Sequence, residues 1–325
     1  MVVNAAIVGL GRWGQTLVAS VEGKSETIRF TVGVTRRPAK AAEFAAARRI
    51  ALGDDYDAVL ADPNIDAVVL ATPHSQHAEQ TVAAARAGKH IFVEKPFTLT
   101  KASAEGAVDA VERAGVVLAL GHNRRFLPSI AELRRRIASG ALGEISHVEA
   151  NASGSGALRY RPGAWRASRA ESPSGGMAGM GIHMVDTMIG LFGRISKVHA
   201  QSLQLVTDVG IDDTTSILLR FENGMSGYLA TLAATAPAWR LQVFGSHSWV
   251  EIREESRFEA RSLKGKPEVI DYPPFDKERA ELEAFAAAIA GDAAYPVPPA
   301  DAIHGIAVFE AINRSAESGV TVTVG

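Results

Sequence analysis

A chain of 325 residues is longer than one hydrophobic core usually serves, so two domains are expected. Hydrophobic residues make up 47% of it and charged residues 22%, and a formal net charge of -2 gives no electrostatic argument for nucleic acid or an anionic membrane as partner. With no cysteine there is no disulfide, thiolate nucleophile or cysteine-bound metal, and redox chemistry would need a cofactor.

Met1-Val2-Val3 run straight into the first expected strand, without the basic leader and apolar segment of a signal peptide. No apolar run reaches transmembrane length, so a cytoplasmic location is expected. Up to about Leu120, short apolar runs alternate with helical patterns, the signature of a parallel sheet built from βαβ units. Ala5 to Val8, Phe30 to Val34, Ala67 to Ala71, His90 to Val93 and Val116 to Leu120 read as buried strands. Ala39 to Arg48, Ala78 to Ala87 and Ala102 to Ala114 read as crossover helices, with Gly88 and Gly115 as C-caps.

After Gly121 the strands lengthen and alternate apolar with polar residues, as in an antiparallel sheet. Thr215, Ile217, Leu219 and Phe221 share one face, Asn223-Gly224 supplies the positive φ angles of a tight hairpin, and Ser226 to Leu232 returns. Leu282, Phe285, Ala286 and Ile289 fall at helical spacing before Gly291. The expected division is 1–121, a dinucleotide-binding domain, and 122–325, a domain for substrate binding and oligomerisation.

Gly9-Leu10-Gly11-Arg12-Trp13-Gly14 follows a strand, opens a helix and begins a βαβ unit, the context in which GxGxxG binds a pyrophosphate at helix amides. NAD enzymes place an acid after the second strand; this chain has Thr35-Arg36-Arg37. A hydroxyl and two guanidinium groups suit a 2′-phosphate, so NADP(H) is expected over NAD(H); the alternative is a solvated basic turn.

Glu94-Lys95-Pro96 ends a buried strand, where ligands bind in doubly wound sheets. Partial burial beside a cationic ring would let Lys95 relay a proton as hydride moves. His183 follows a glycine-rich loop and starts an apolar helix, either as a base or as a satisfied core histidine. Asp186, one helical turn on, either orients that imidazole or is a surface carboxylate. Arg159, Tyr160, Arg161, Trp165, Arg166 and Arg169 lie close together, either as a clamp for a substrate carboxylate or as a surface loop. Histidines and acids show no metal-ligand spacing.

The glycine loop, Ala71-Thr72-Pro73-His74 with His77, Glu94-Lys95-Pro96, Arg125-Phe126, Ser139-Gly140 with Gly143-Glu144-Ile145, Gly175-Gly176 before Gly181-Ile182-His183, and Ser315-Ala316 together resemble the Gfo/Idh/MocA oxidoreductases over nearly the whole chain. The resemblance implies an α/β fold, with an N-terminal Rossmann doubly wound parallel sheet and a C-terminal α/β domain carrying a large, mostly antiparallel open sheet. It implies a homodimer or homotetramer formed through that sheet, a small-molecule substrate, a Lys95 that reaches the substrate hydroxyl, and a proline bond that is often cis. By the same resemblance Ala71, Thr72, Pro73, His77, Glu94, Trp165 and Arg166 lie by the cofactor, and Tyr160, Arg161 and His183 by the substrate. The family often has an aspartate four residues before the histidine; here that position is Gly179.

The expected activity is therefore hydride transfer between NADP and a hydroxyl-bearing carbon of a small, carboxylated or cyclic substrate. Three alternatives stay open: reduction of a carbon–carbon double bond, a sugar or polyol dehydrogenase, and a non-catalytic cofactor sensor. No metal, nucleic acid or membrane partner is expected.

Overall fold

The computed structural model describes residues 2–325; Met1, with which the first expected domain begins, lies outside the described residues. The chain forms two compact units. One holds the chain up to Asn123 together with Asp276–Ala302, the other Arg124–Phe275 with Ile303–Gly325. Helices are α1 (Arg12–Val21), α2 (Ala42–Ala47), α3 (Tyr56–Ala61), α4 (His77–Arg86), α5 (Lys101–Ala114), α6 (Pro128–Ala138), α7 (Ile182–Phe192), α8 (Lys277–Ala290) and α9 (Pro299–Ser318). Among the described residues, no helix is long and apolar enough to cross a membrane.

In the first unit, β1 (Val3–Val8), β2 (Ile28–Val34), β3 (Ala51–Gly53), β4 (Ala67–Leu70), β5 (His90–Val93) and β6 (Leu118–Leu120) form an all-parallel sheet in the order β3-β2-β1-β4-β5-β6. Every residue of β4 is buried, as a strand covered on both faces must be. The strand order reverses between β1 and β4, and the carboxyl ends of these strands flank the crevice where such sheets bind ligands. The edge strand β3 and helix α3 have weaker signals in the sequence. Three residues are too few to show a period, and α3 announces itself only through Asp55, whose carboxylate caps the amides of Asp57 and Ala58 at 2.9 and 3.1 Å. The helix expected over 39–48 is split into a 3₁₀ turn at Pro38–Lys40 and the shorter α2.

The expected contiguous segment 122–325 is interrupted. Leu282, Phe285 and Ala286 of α8 are buried in the same core cluster as Leu17, Val18 and Phe92 of the first unit, with the Phe285 and Phe92 rings 5.9 Å apart. Tyr295 donates its hydroxyl to the Leu120 carbonyl at 2.7 Å, tying down the segment after α8. Helical spacing reveals an apolar face but not the surface that face will cover.

The second unit is built on a nine-stranded sheet of β7 (Ile145–Ser153), β8 (Ile195–Leu203), β9 (Thr214–Phe221), β10 (Ser226–Leu232), β11 (Ala238–Gly245), β12 (Ser248–Arg253), β13 (Arg257–Ser262), β14 (Glu268–Asp271) and β15 (Val322–Thr323). Its order is β14-β13-β12-β11-β7-β10-β9-β8-β15, antiparallel except for the β7–β10 pair. The β9–β10 hairpin differs in detail from the expectation. Arg220 pairs with Ser226 and the Phe221 amide donates to Met225 O at 2.9 Å, leaving a three-residue loop in which Gly224 alone has positive φ, +89°. Asn223 instead accepts from the Met225 amide at 3.0 Å.

One carboxylate organises the connection between β8 and β9. Asp213, 1% exposed, accepts from the amides of Leu205, Val206 and Thr207 at 3.1, 2.8 and 2.8 Å and from the Thr207 and Thr214 hydroxyls at 3.2 and 3.1 Å. Burial alone would raise its pKa, but these donors favour the anion and bring it below the usual carboxylate value. A folded-state pKa below the unfolded one adds stability that is present above the unfolded value and lost as pH falls through the folded value. Asp213→Ala, which strands three amide donors, is expected to cost about 2–4 kcal/mol at neutral pH in urea denaturation. Asp213→Asn should lose less, and its deficit should shrink in acid. A pH-independent deficit would refute the anionic role.

Candidate functional site

The glycine loop shows three different reasons for its glycines. Gly9 has φ +98°, and a Cβ there would lie 2.5 Å from the Ala71 carbonyl oxygen, so the turn after β1 lies directly against the end of β4. A Cβ on Gly14 would collide with the Gly9 carbonyl, which sets the spacing of α1 against the loop. Gly11, the N-cap of α1, is exposed, and a Cβ there would meet nothing within 4 Å. Beyond it the first-turn amides, Arg12, Trp13 and Gly14 among them, have no intrahelical acceptor, and no acid stands in that turn. These residues fit a dinucleotide pyrophosphate at the helix N-terminus.

Thr35 continues β2, its amide donating to Gly53 O at 3.0 Å. Arg36 and Arg37 follow, both exposed, and among the described residues neither guanidinium is engaged by a carboxylate. They are thus available to a 2′-phosphate.

Lys95 stands just past β5 and is half-buried, and the Lys95–Pro96 bond is cis. His77 reaches this loop from the start of α4. Its ring is fully buried, with Nδ1 2.8 Å from the Pro96 carbonyl and Nε2 3.1 Å from the Thr72 carbonyl. Carbonyls only accept, so the ring N–H donates to the main chain on one side or the other according to tautomer. His77 therefore holds the Ala71-Thr72-Pro73 and Glu94-Lys95-Pro96 loops in register rather than offering its ring to a dinucleotide, as the sequence suggested. Thr72 Oγ1 is itself 2.6 Å from Gln80 Oε1.

Glu94 is 4% exposed. Burial pushes its pKa up, opposed by the Lys95 charge, the Trp13 indole N–H and the Lys95 amide 3.3 Å from Oε2. Gly121 makes room for it: a Cβ there would lie 2.9 Å from Glu94 Oε1. The sequence shows Gly121 only as a change of pattern.

In the second unit a π-helical turn, Met177–Gly181, runs into α7. Such turns recur at functional sites. His183 lies in the first turn of α7 and is 4% exposed. Asp186 is no surface carboxylate. Arg125 donates to both its oxygens, Nε to Oδ2 and Nη2 to Oδ1, each at 2.8 Å, and both side chains are 4% exposed. Gly190 lies under this pair, since a Cβ there would come within 2.6 Å of Arg125 Nη1. Gly179 is exposed and a Cβ on it would meet nothing within 4 Å, so no steric contact requires glycine at that position.

The arginine-rich segment separates into unlike parts. Arg169 binds Asp212 at 2.6 Å, and the Arg166 guanidinium stacks 3.9 Å over the Trp165 ring. Arg159 and Arg161 are exposed, and Tyr160 is half-buried. Of the arginines expected to clamp a carboxylate, Arg169 is thus already engaged by Asp212. Among the described residues, no group of three or more histidines and acids could hold a metal ion.

Two family models match in tandem: residues 3–122 fit the oxidoreductase family with an NAD-binding Rossmann fold, and residues 130–251 fit the Gfo/Idh/MocA C-terminal domain. The chain belongs to the Gfo/Idh/MocA oxidoreductase family. Similar proteins include the scyllo-inositol 2-dehydrogenase (NAD(+)) of Bacillus subtilis, 39% identical over 44% of this chain and 42% of that protein. The scyllo-inositol 2-dehydrogenase (NADP(+)) of the same organism is 32% identical over 45% of this chain and 40% of its own. Both alignments thus span under half of these relatives, and relatives of this Gfo/Idh/MocA chain include users of either dinucleotide. The crystal structure of aldose-aldose oxidoreductase from Caulobacter crescentus superposes with a TM-score of 0.90 at 26% identity, covering 99% of this chain and 100% of that one.

Proposed function

We propose that this chain is a dehydrogenase that prefers NADP(H) and transfers a hydride between the nicotinamide and a hydroxyl-bearing carbon of a small cyclic substrate. The observation that carries the reading is Lys95, half-buried at the carboxyl end of β5 and held through Pro96 by His77, in a sheet whose glycine loop offers α1 amides to a pyrophosphate. When bound, the dinucleotide supplies the hydride acceptor or donor. Gly9, Gly11, Arg12, Trp13 and Gly14 hold the pyrophosphate, and Thr35, Arg36 and Arg37 the 2′-phosphate. Lys95 binds the substrate hydroxyl and relays its proton, and His183 is the base that takes a proton in the oxidative direction. With Gly179 in place of an acid, no neighbouring carboxylate at that position shares the work.

The same reading places a homodimer or homotetramer contact on the second sheet, where His199, Leu218, Tyr228, Glu149, Gln242 and Glu251 form one cross-strand row and Leu218 is 58% exposed.

Equilibrium titration with both dinucleotides tests the cofactor assignment. NADP(H) is expected to bind more tightly, and Arg36→Ala with Arg37→Ala should weaken it about 10- to 100-fold while leaving NAD(H) nearly unchanged, since a charge-assisted bond contributes about 1.5–3 kcal/mol. Tighter NAD(H) binding by the unaltered protein overturns it.

A further inference from the structure

His77 is the first residue of α4, and it is 0% exposed. Its Nδ1 lies 2.8 Å from the Pro96 carbonyl oxygen and its Nε2 3.1 Å from that of Thr72. Two acceptor atoms do not settle at hydrogen-bond distance without a proton between them, and a carbonyl brings none. A neutral imidazole has one N–H, so in either tautomer one ring nitrogen would aim a lone pair at a carbonyl lone pair. Only the imidazolium donates at both ends.

The surroundings oppose a charge on this ring. Burial favours the neutral form, and so does a place at the start of a helix, where the dipole disfavours cations. The His74 ring, from the 3₁₀ turn before α4, has its centroid 6.0 Å away, and the loop after β5 carries the Lys95 ammonium. The other ionisable groups on neighbouring elements are Glu94 of that loop, Glu79 of α4 and Tyr56 of α3, whose phenol donates to Gln80 O at 2.9 Å. Lys101 and Glu105 of α5 pair with each other at 3.4 Å. Against these stand two bonds made at contact distance, and a charge-assisted bond is about twice as strong as a neutral one.

We propose that His77 works as an imidazolium, a cationic strap that donates to Thr72 O and Pro96 O at once and so positions the Lys95 loop against the loop after β4. Through Pro96 it fixes the backbone that carries the Lys95 ammonium, and its positive charge eases the loss of a proton from that group. The charge of the ring is independent of the dehydrogenase reading; its effect on Lys95 rests on that reading.

Nitrogen-15 NMR of the full-length protein tests it, with the histidine rings and the Thr72 and Pro96 carbonyl carbons labelled so that ring-to-carbonyl contacts identify His77 without a substitution. At about pH 7.5 both nitrogens of this ring should be protonated, where a histidine of ordinary pKa is about one-tenth charged. Urea denaturation gives a second readout. A ring charged in the folded state adds stability that is fully present below the unfolded pKa of about 6.5 and is lost as pH rises through the folded value. The advantage of the unaltered protein over His77→Gln should therefore shrink at least about tenfold in folding constant between about pH 6 and 9. A neutral core histidine does the opposite and loses its contribution in acid. In turnover, the limb that Lys95 contributes to the pH profile of kcat/KM should move up by about 0.5–1 unit in His77→Gln, since a like charge has gone.

A single N–H on the ring under those NMR conditions, or a stability difference that is constant or grows with pH, overturns the strap, and an unmoved limb overturns its action on Lys95. The NMR result comes from the unaltered protein and decides the charge even where His77→Gln fails to fold. Turnover of an alcohol with NADP by a protein whose His77 ring is neutral sinks the strap and spares the dehydrogenase reading; a doubly protonated ring without turnover of any alcohol does the reverse.

Discussion

Lys95→Ala is expected to lower turnover by about 10²- to 10⁴-fold, the range that general acid–base groups contribute, while NADP(H) affinity changes little. The separation follows from where the groups stand. Helix amides after Gly11 and the arginines after β2 are expected to dominate dinucleotide binding, whereas the Lys95 ammonium lies past β5, on a loop fastened by His77 to Pro96 O and Thr72 O. Removing a group used only as the proton moves reduces kcat and kcat/KM together, and a group used only for binding raises KM. Lys95→Arg should not rescue, because a guanidinium keeps its proton at any working pH. Steady-state kinetics with a dinucleotide titration measure both halves, and near-normal turnover in Lys95→Ala would remove this residue from the mechanism.

Asp186→Ala should be the most damaging single change to the second unit, destabilising it by about 3–5 kcal/mol. The deletion leaves the Arg125 guanidinium buried at 4% exposure without the carboxylate that accepts from its Nε and Nη2. Taking both charges away is a different matter, since a buried pair regains in attraction little more than it loses in hydration. Arg125→Met with Asp186→Leu should therefore recover most of the loss in the urea midpoint of this unit. A single-mutant cost below about 1 kcal/mol would show that water or another group replaces the carboxylate. The pair also bears on His183, one turn earlier on α7, because it fixes the helix that carries that imidazole.

The parallel sheet was legible because strands buried on both faces leave unbroken apolar runs, and Ala67–Leu70 is one. The glycine loop was legible for a related reason: Gly9 and Gly14 are required by backbone contacts that no other residue tolerates. Asp186 marks the limit. Spacing along α7 shows which helical neighbours it could meet, but its partner Arg125 lies 61 positions away in sequence, and no periodicity records that. The motif around His77 indicates a loop by the cofactor, whereas only coordinates reveal both ring nitrogens facing main-chain carbonyls. The left-handed backbone at Glu254 and Glu255 was equally hidden, because two glutamates before a serine look like any exposed turn until their φ angles are known.

The return of α8 into the core of the first unit has a consequence for synthesis. A ribosome that has released Asn123 has made every strand of the parallel sheet, yet Leu282, Phe285 and Ala286, which close its core, are still unmade. At about 5–20 residues per second, Arg124–Phe275 takes roughly 8–30 s to translate. Throughout that interval the nascent sheet presents an uncovered apolar surface, and the chain that will seal it emerges only after Arg124–Phe275 of the second unit. Premature termination anywhere in that stretch therefore yields a sheet with an incomplete core, a substrate for chaperones and proteases rather than a small stable dinucleotide-binding protein.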